Sequence, residues 1–200
     1  MMGAQEARRV AFLDRDGVIN VDHGYVCRWA DFEFMPGAVQ AMKRLREAGY
    51  DLVVVTNQSG IARGMYTPED FEHLTEQMVR SLSDAGVTIA AVLHCPHHPR
   101  GSVPRWSQEC FCRKPRPGMI LEGLRMLQAE PGQAFMIGDK MSDVEAARAA
   151  GLGRAYLVTS DKNEEGALPG VSPDAVFADL AACVDDVLHA SALAAGKMAS

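Results

Sequence analysis

Short apolar runs alternate with helix-like segments along most of this chain, and this alternation constrains the fold more than any single motif does. The apolar runs predict buried strands at residues 10–14, 52–55, 88–93, 134–137 and 155–158, with a possible edge strand at 175–177. Apolar residues at helical spacing predict helices at 36–48, 67–82, 117–128, 142–150 and 179–189. Strands and helices that alternate in this way form a parallel sheet covered by helices on both faces. The predicted fold class is therefore α/β, with a Rossmann-like sheet.

The length and charge of the chain limit the number of domains and the kinds of partner. Its 200 residues suit one domain, predicted at 8–190, with a loop at 160–173 and a flexible tail at 191–200. The net charge of -6 and the lack of a basic stripe argue against a nucleic-acid partner. No apolar run reaches membrane-spanning length, and residues 1–9 lack an apolar signal core. We therefore expect a cytoplasmic protein without membrane contact and, in the absence of an association stripe, a monomer.

Polar motifs directly follow four of the predicted strands. They occupy residues 14–16, 56–60, 94–98 and 139–140. The carboxyl ends of parallel strands meet at one rim of the sheet, and ligands of such sheets bind at that rim, where the strand order reverses. We therefore expect the four motifs to form one site.

The first of these motifs places two acidic residues one position apart at the end of a buried strand. In an extended chain, Asp14 and Asp16 face the same side and Arg15 points away. Neighbouring carboxylates repel each other and cost desolvation energy unless a cation joins them. Together with Asp139 they could form the hard oxygen site that suits Mg²⁺. Taken alone, the pair fits an exposed acidic turn as well.

The other motifs supply groups that suit phosphate chemistry. Thr56 and Asn57 offer a hydroxyl and backbone N–H groups for phosphate oxygens. Lys114 could neutralise the charge that develops on a transferring phosphoryl group. Phosphoryl transfer needs little beyond positioning and charge neutralisation, and two carboxylates can divide nucleophilic attack and proton transfer between them.

Four segments resemble, in order and spacing, the motifs of the haloacid dehalogenase superfamily of phosphatases. They are residues 14–18, 56–58, 114–115 and 138–140, and the resemblance spans residues 10–158. Many relatives carry Thr where this chain has Val18, a position without a chemical role. The resemblance implies a haloacid dehalogenase-type parallel sheet, and no insertion is long enough for a large cap domain. A phosphomutase, which usually uses such a cap to exclude water, is therefore disfavoured.

Within this superfamily the chain most resembles phosphatases that act on a heptose bisphosphate. The segments that carry this resemblance are residues 13–17, 20–26, 56–64, 95–99 and 112–115. It implies hydrolysis of the C7 phosphate of a small phosphosugar, heptose 1,7-bisphosphate, to heptose 1-phosphate through an aspartyl-phosphate intermediate. It also implies a role in making nucleotide-activated heptose for lipopolysaccharide or an S-layer. The anomer at carbon 1 is left open.

The same resemblance implies roles for individual residues. Asp14 is expected to be the nucleophile and Asp16 the general acid and base, with Thr56 and Lys114 steadying the phosphoryl group. Asp14, the Asp16 main chain and Asp139 are expected to hold Mg²⁺. The implied substrate contacts are Asp22, His23, Gly24, Tyr25, Asn57, Gln58, Ser59, Arg113 and Lys140.

A group of cysteine and histidine residues predicts a second metal site, in the loop 95–112. Five cysteines in a reducing cytosol suggest metal binding rather than disulfides. Four soft ligands that suit tetrahedral Zn²⁺ are offered by Cys95, His97, Cys110 and Cys112. Spacing alone leaves reduced cysteines beside surface histidines equally open, and the resemblance favours zinc with these four ligands, ahead of His94 and His98.

Two other functions remain open at this point. Histidinol-phosphate phosphatases share the fold, the motifs and the zinc loop, but their substrate carries an amine and calls for an acid in the pocket. A second phosphate calls instead for cations or donors, here Arg113, Lys140, His23 and Arg63. An inactive phosphosugar-binding scaffold, a protein of another class, would lack one of the aspartates that this chain retains.

The remaining polar residues have simpler expected roles. His73, Asp143 and Glu145 are expected to be surface or capping residues, and Cys27 a buried apolar one.

Overall fold

The computed structural model describes residues 8–159 and 169–198, with backbone only from 194 onwards, and contains one sheet of six parallel strands. The strands are β1 (Arg9–Leu13), β2 (Tyr50–Asn57), β3 (Ile89–Cys95), β4 (Ala134–Gly138), β5 (Arg154–Val158) and β6 (Ala175–Phe177). Every strand pair is parallel. The α/β fold class is therefore confirmed, and so is the short edge strand. The predicted loop at 160–173 lies mostly outside the described residues.

Within the described ranges, six α-helices connect or follow the strands. They are α1 (Ala38–Glu47), α2 (Ser59–Ala62), α3 (Pro68–Asp84), α4 (Gly118–Leu127), α5 (Met141–Ala149) and α6 (Leu180–Met198). Helix α3 begins with a capping box, in which the Thr67 hydroxyl accepts from the Asp70 N–H and the Asp70 carboxylate accepts from the Thr67 N–H. The short helix α2 was not predicted. Helix α6 continues to Met198, so the predicted tail at 191–200 is helical up to that residue, and its flexibility stays a prediction.

The strand order β3-β2-β1-β4-β5-β6 places β1 and β4 at the centre of the sheet. The chain moves outward from β1 to β3 and then returns to the centre at β4. The strand order therefore reverses between β1 and β4. The Asp14 N–H donates to the Ile137 carbonyl at 3.0 Å, which keeps β1 and β4 paired to their carboxyl ends. This is the point at which α/β sheets of this type bind ligands.

Two apolar cores cover the two faces of the sheet. Ala11 and Leu13 of β1 face the core formed with α1, α3 and α6, whereas Val10 and Phe12 face the core formed with α4 and α5. These side chains are fully buried, so β1 is fixed from both sides. The residues that follow Leu13 therefore start from a rigid position.

The connection between β1 and α1 has its own packing but forms no separate domain. Trp29 stacks on Phe32 with ring centroids 5.1 Å apart, and Phe34 meets both rings edge-on. In the part of the chain that the structure describes, no segment forms a large cap over the rim. Among the same residues, no helix has the length and apolar character needed to cross a membrane.

Candidate active site

A cavity of about 620 Å³ opens at the carboxyl rim of the sheet. Most of the residues predicted to form the site line it, namely Asp14, Asp16, Asp22, Gly24, Tyr25, Thr56, Asn57, Gln58, Ser59, Arg113, Lys114 and Lys140. Strands β2 and β3 run further than expected, so Thr56, Asn57 and Cys95 belong to strand ends rather than to loops. The predicted gathering of motifs at one rim is present in the structure.

Three buried carboxylates meet beneath this cavity. Oxygen atoms of Asp14, Asp139 and Asp143 lie within 4.8 Å of one another. The Lys114 ammonium pairs with Asp14 at 2.9 Å and with Asp143 at 2.5 Å. Asp143 also accepts from the Lys140 N–H at 3.1 Å, so its predicted capping role is correct, but it is 1% exposed and its surface assignment is wrong. Glu145 is buried as well, contrary to the same prediction.

The charges of this group are not balanced by the protein alone. Three carboxylates face one ammonium in direct contact, and the more distant Lys140 ammonium offsets only part of the remaining negative charge when all are ionised. Both carboxylate oxygens of Asp139 are buried without a hydrogen-bond partner among the described residues. Burial and the neighbouring Asp14 raise the pKa of Asp139 to about 7. A divalent cation would supply the missing charge and the missing partner, so the donor set fits a hard metal ion.

Lys114 and Asp14 stabilise each other's charge at the centre of the group. Burial raises the pKa of Asp14, and Lys114 opposes that rise. Burial alone would lower the pKa of Lys114, but Asp14 and Asp143 raise it above its ordinary value, so this side chain stays cationic. Its ammonium also donates to the Val55 carbonyl at 2.8 Å. A fixed positive charge therefore lies against the carboxylate that ends β1.

Asp16 lies apart from the three-carboxylate group because other side chains hold it. Its carboxylate accepts from Arg15 at 2.9 Å, from Asn20 at 3.0 Å and from Gln58 at 3.0 Å. Arg15 was expected to point away, but its side chain folds back to Asp16 and is 1% exposed. Gly17, with φ of +87°, turns the chain directly after this pair.

Gln58 links Asp16 to two further groups. Its side-chain nitrogen donates to Asp16 Oδ2 at 3.0 Å and to Thr56 Oγ1 at 2.8 Å. Its side-chain oxygen accepts from the hydroxyl of Tyr66. Tyr66, which precedes α3 and lines the cavity, was missed by sequence reasoning because a lone tyrosine in a loop carries no pattern.

Asn57 lines the cavity, where binding of phosphate by its backbone N–H stays a prediction, and its side-chain amide contacts the main chain of Lys114. Its side-chain oxygen accepts from the Lys114 N–H at 3.1 Å, and its side-chain nitrogen donates to the Lys114 carbonyl at 3.0 Å. The amide therefore holds the main chain of Lys114 against the end of β2. This contact connects the sheet to the loop that carries the cysteine residues.

Cationic side chains line one wall of the cavity. They are Arg63, Arg100 and Arg113, arranged around His98. The Arg100 N–H donates to His98 Nδ1 at 3.0 Å, so a neutral His98 carries its proton on Nε2. Arg63 Nη2 lies 3.2 Å from that nitrogen, which brings two donors face to face. An anionic oxygen bound beside this pair of nitrogen atoms would accept from both.

His23 lies outside this cavity. Its Nε2 is 3.7 Å from a carboxylate oxygen of Glu33, in a neighbouring surface depression. Gly24 and Tyr25 line both this depression and the cavity, so His23 lies beside two of the predicted substrate contacts, and its own contact with the substrate stays a prediction. Lys140 remains at the cavity, 3.9 Å from Asp22.

Cys95, His97, Cys110 and Cys112 form a second group of ligand atoms. Their sulfur atoms lie 3.2 to 3.4 Å apart, and His97 Nδ1 lies 3.5 Å from Cys112 and 3.7 Å from Cys95. These separations are too long for disulfides and suit the edges of a small tetrahedron around one ion. Among the described residues, this group includes neither His94, which packs on the Phe71 ring, nor His98. Cys27 is half-buried rather than buried.

Comparisons with known proteins agree with this geometry. The family model described as HAD-hydrolase-like matches residues 111–183. The D-glycero-beta-D-manno-heptose-1,7-bisphosphate 7-phosphatases of Yersinia pestis and of Escherichia coli K12 are 51% and 52% identical to this chain, over 76% of it and 80% and 79% of their own lengths.

Solved structures give the same result. The D,D-heptose 1,7-bisphosphate phosphatase from B. bronchiseptica, complexed with magnesium and phosphate, is 32% identical with a TM-score of 0.77, covering 90% of this chain and 98% of its own. The corresponding enzyme from Burkholderia thailandensis is 29% identical with a TM-score of 0.65, covering 90% and 99%. The chain thus belongs to the heptose-1,7-bisphosphate 7-phosphatase family, within the haloacid dehalogenase superfamily.

Proposed function

We propose that this protein hydrolyses the C7 phosphate of D-glycero-β-D-manno-heptose 1,7-bisphosphate and releases heptose 1-phosphate. The observation that carries the proposal is the buried group of Asp14, Asp139, Asp143 and Lys114 at the cavity floor. The names of the relatives support the substrate and favour the β anomer. The product would serve the synthesis of nucleotide-activated heptose. The cytoplasmic location and the monomeric state of the protein stay predictions.

The proposed reaction has two displacements at phosphorus. An Asp14 oxygen attacks, the bond between phosphorus and the C7 oxygen breaks, and the Asp16 proton passes to the leaving oxygen. Water then attacks the aspartyl-phosphate, Asp16 takes a proton from that water, and phosphate leaves with Asp14 restored. Thr56 and Lys114 would hold the phosphoryl oxygens during both steps.

A magnesium ion fits the carboxylate group. Asp14 and Asp139, with the main chain of Asp16, would hold the ion, and the structure adds Asp143 as a neighbouring carboxylate. When bound, Mg²⁺ would neutralise charge on the phosphoryl oxygens. The protein provides the position of the nucleophile, since Asp14 Oδ1 accepts from the Arg15 N–H at 2.8 Å and pairs with Lys114.

A zinc ion fits the second group, where it would have a structural role. Cys95, His97, Cys110 and Cys112 fill four positions of a tetrahedral site and leave none open. Lys114 follows Cys112 by two residues, and Arg113 Nη1 contacts the His97 carbonyl at 3.3 Å. An ordered loop would therefore place these two cations at the cavity.

The cationic wall favours a bisphosphate over histidinol phosphate. Arg63, Arg100 and Arg113 offer sites for a second phosphate, and the facing donors of Arg63 and His98 call for an anion rather than an ammonium. The amine of histidinol phosphate would be repelled by the same wall. Because all the proposed catalytic aspartates line or underlie the cavity, an inactive scaffold is disfavoured.

Three substrates would test the proposal under one set of conditions. The β and α anomers of heptose 1,7-bisphosphate and histidinol phosphate are compared by phosphate release with Mg²⁺ present. Phosphorus NMR identifies which sugar phosphate is lost. We expect the highest kcat/KM for the β anomer, with heptose 1-phosphate as product. Preference for histidinol phosphate, or loss of the C1 phosphate, would overturn the assignment.

A further inference from the structure

We propose that Tyr66 is a positioning residue that acts through Gln58 on Asp16 and Thr56. The inference rests on the proposed function, because it takes Asp16 as the general acid and Thr56 as a ligand of the phosphoryl group. The contacts that carry it run in sequence from the Tyr66 hydroxyl to the Gln58 amide and on to both residues.

The chemistry of the neighbours fixes the orientation of the Gln58 amide. In the resting protein Asp16 pairs with the Arg15 guanidinium and accepts hydrogen bonds on both oxygens, so the side-chain nitrogen of Gln58 faces Asp16 and its oxygen faces Tyr66. The reverse orientation would bring two acceptors together at Asp16. The Tyr66 hydroxyl donates to the amide oxygen and so holds the amide in the orientation that presents its donors to the site. Gln58 is 2% exposed, so water competes little for these bonds.

This arrangement prepares two groups at once. Asp16 Oδ2 accepts from both Gln58 and Arg15 at 3.0 Å, and the Gln58 bond restricts this oxygen further and so limits the directions in which the Asp16 proton can be delivered. Thr56 Oγ1 accepts from Gln58 at 2.8 Å, so the Thr56 hydroxyl proton is left to be donated elsewhere. A phosphoryl oxygen in the cavity is the acceptor that the proposed reaction supplies.

Packing around Tyr66 keeps its hydroxyl in place. The side chain is 7% exposed and packs with Ile61 and Phe71 in a small core of its own. Its ring occupies the space beside Gly60, where an added Cβ would lie 2.0 Å from a ring carbon. Burial raises the pKa of Tyr66, so the phenol remains a donor at neutral pH. A donor this fixed is suited to orient a neighbouring amide.

Tyr66→Phe tests the proposal through the leaving group. General-acid catalysis matters for a sugar oxygen but little for nitrophenolate, which leaves without a proton. We compare kcat/KM, which reports only events up to transfer of the phosphoryl group to Asp14, for the heptose bisphosphate and for p-nitrophenyl phosphate. The expected loss is about tenfold greater for the sugar substrate. Weaker binding of the phosphoryl oxygens by Thr56 would lower both kcat/KM values equally and leave the ratio between them unchanged.

Tyr50→Phe is the matched control, since Tyr50 is also 7% exposed but begins β2 at the opposite rim of the sheet. It should leave both kcat/KM values unchanged. Gln58→Met provides a second test if Tyr66→Phe does not fold, because it removes both donors at similar side-chain volume. Gln58→Met should lower kcat/KM for the sugar substrate, relative to p-nitrophenyl phosphate, by more than Tyr66→Phe does. Equal losses of kcat/KM on the two substrates from Gln58→Met would count against the positioning role.

Asp16→Ala separates failure of this inference from failure of the proposed function. If Asp16 is the acid, Asp16→Ala shows the leaving-group dependence, and adding Tyr66→Phe produces no further change in the ratio. If Asp16→Ala shows the leaving-group dependence but Tyr66→Phe lowers kcat/KM equally for both substrates, the positioning role of Tyr66 is overturned. If Asp16→Ala itself lowers both equally, the acid role assigned to Asp16 fails.

Discussion

Among the described residues, two groups of side chains have ligand atoms placed so that they could hold a metal ion, and the two groups are built in opposite ways. The carboxylates of Asp14 and Asp139 follow the two central strands, and each is no more than 6% exposed. The cysteine and histidine ligands come from the end of β3 and from the irregular chain after it, and three of the four are only half-buried. The sheet positions the first group, whereas most ligands of the second lie on irregular chain that only partly packs against the core beside α4 and α5.

This difference predicts different consequences of metal loss. A carboxylate group held by a rigid sheet keeps its shape without metal but carries uncompensated charge, so metal loss should abolish activity without unfolding the protein. A thiolate group in a loop gains its order from the ion. Metal loss there should unfold the loop first and lower activity through Lys114, which the loop carries.

Asp14→Asn should have the largest effect on activity. It removes the nucleophile and keeps the side-chain volume, so we expect kcat to fall about 10⁴-fold with the fold unchanged. Phosphate release and circular dichroism would measure the two quantities. Asp84→Asn, at the exposed end of α3, is the matched control and should leave both unchanged. More than 1% residual activity in Asp14→Asn would contradict the proposed mechanism.

Asp139→Asn should lower activity about 10²-fold to 10³-fold while stabilising the metal-free protein. The metal-free variant should be more stable because the buried Asp139 carboxylate has no hydrogen-bond partner among the described residues and repels Asp14. Thermal unfolding with and without Mg²⁺ would show a higher Tm for the metal-free variant and no rise on adding Mg²⁺. A lower metal-free Tm would show that the carboxylate group is not under electrostatic strain.

Cys112→Ser should lower kcat/KM about 10-fold to 100-fold and make the loop sensitive to protease. Loss of a thiolate weakens the zinc site, and the loop between Cys95 and Lys114 loses its order. Metal analysis and limited proteolysis would measure these effects, with Cys27→Ser as the control outside the group. Full activity in a zinc-free, protease-sensitive protein would break the proposed link between the loop and Lys114.

The smallest effect should be the pH dependence of stabilisation by Mg²⁺. The pKa of Asp139 in the metal-free fold is raised to about 7 from an ordinary 3.8, so a proton on Asp139 stabilises the metal-free protein as pH falls through 7. Protons also compete with Mg²⁺ for this carboxylate, which weakens binding by about tenfold per pH unit below 7. The rise in Tm on adding Mg²⁺ should therefore be smaller at pH 6 than at pH 8. Asp139→Asn should remove this pH dependence, and an equal rise at both pH values in the unsubstituted protein would contradict it.

The carboxylates and the threonine of the site follow from strand ends, whereas Lys114 follows no predicted strand, and Arg113 and residues 22–25 were reached only through the family resemblance. Buried strands and their alternation with helices predict a parallel sheet, and this alone places Asp14, Thr56 and Asp139 at one rim. The four soft ligands were recognisable because cysteine and histidine occur together in a chain with few of either.

Residues placed by tertiary packing could not be found in the same way. Asp143 has the sequence position of an ordinary helix cap, and only the tight turn from β4 into α5 brings it against Lys114. Arg15 was assigned to the opposite side by strand alternation, but the strand ends at Leu13 and the rule stops there. Tyr66 depends on the empty space at Gly60, which no local pattern reveals.

Two glycines decide whether this site could be transferred to another protein. A Cβ at Gly17 would lie 2.4 Å from a carboxylate oxygen of Asp139, and a Cβ at Gly138 would lie 2.3 Å from one of Asp143. The acidic side chains thus occupy the volume that two missing methyl groups would fill. Grafting the aspartates alone would fail in a host protein with alanine at either position. The aspartates must therefore be transferred together with Gly17 and Gly138.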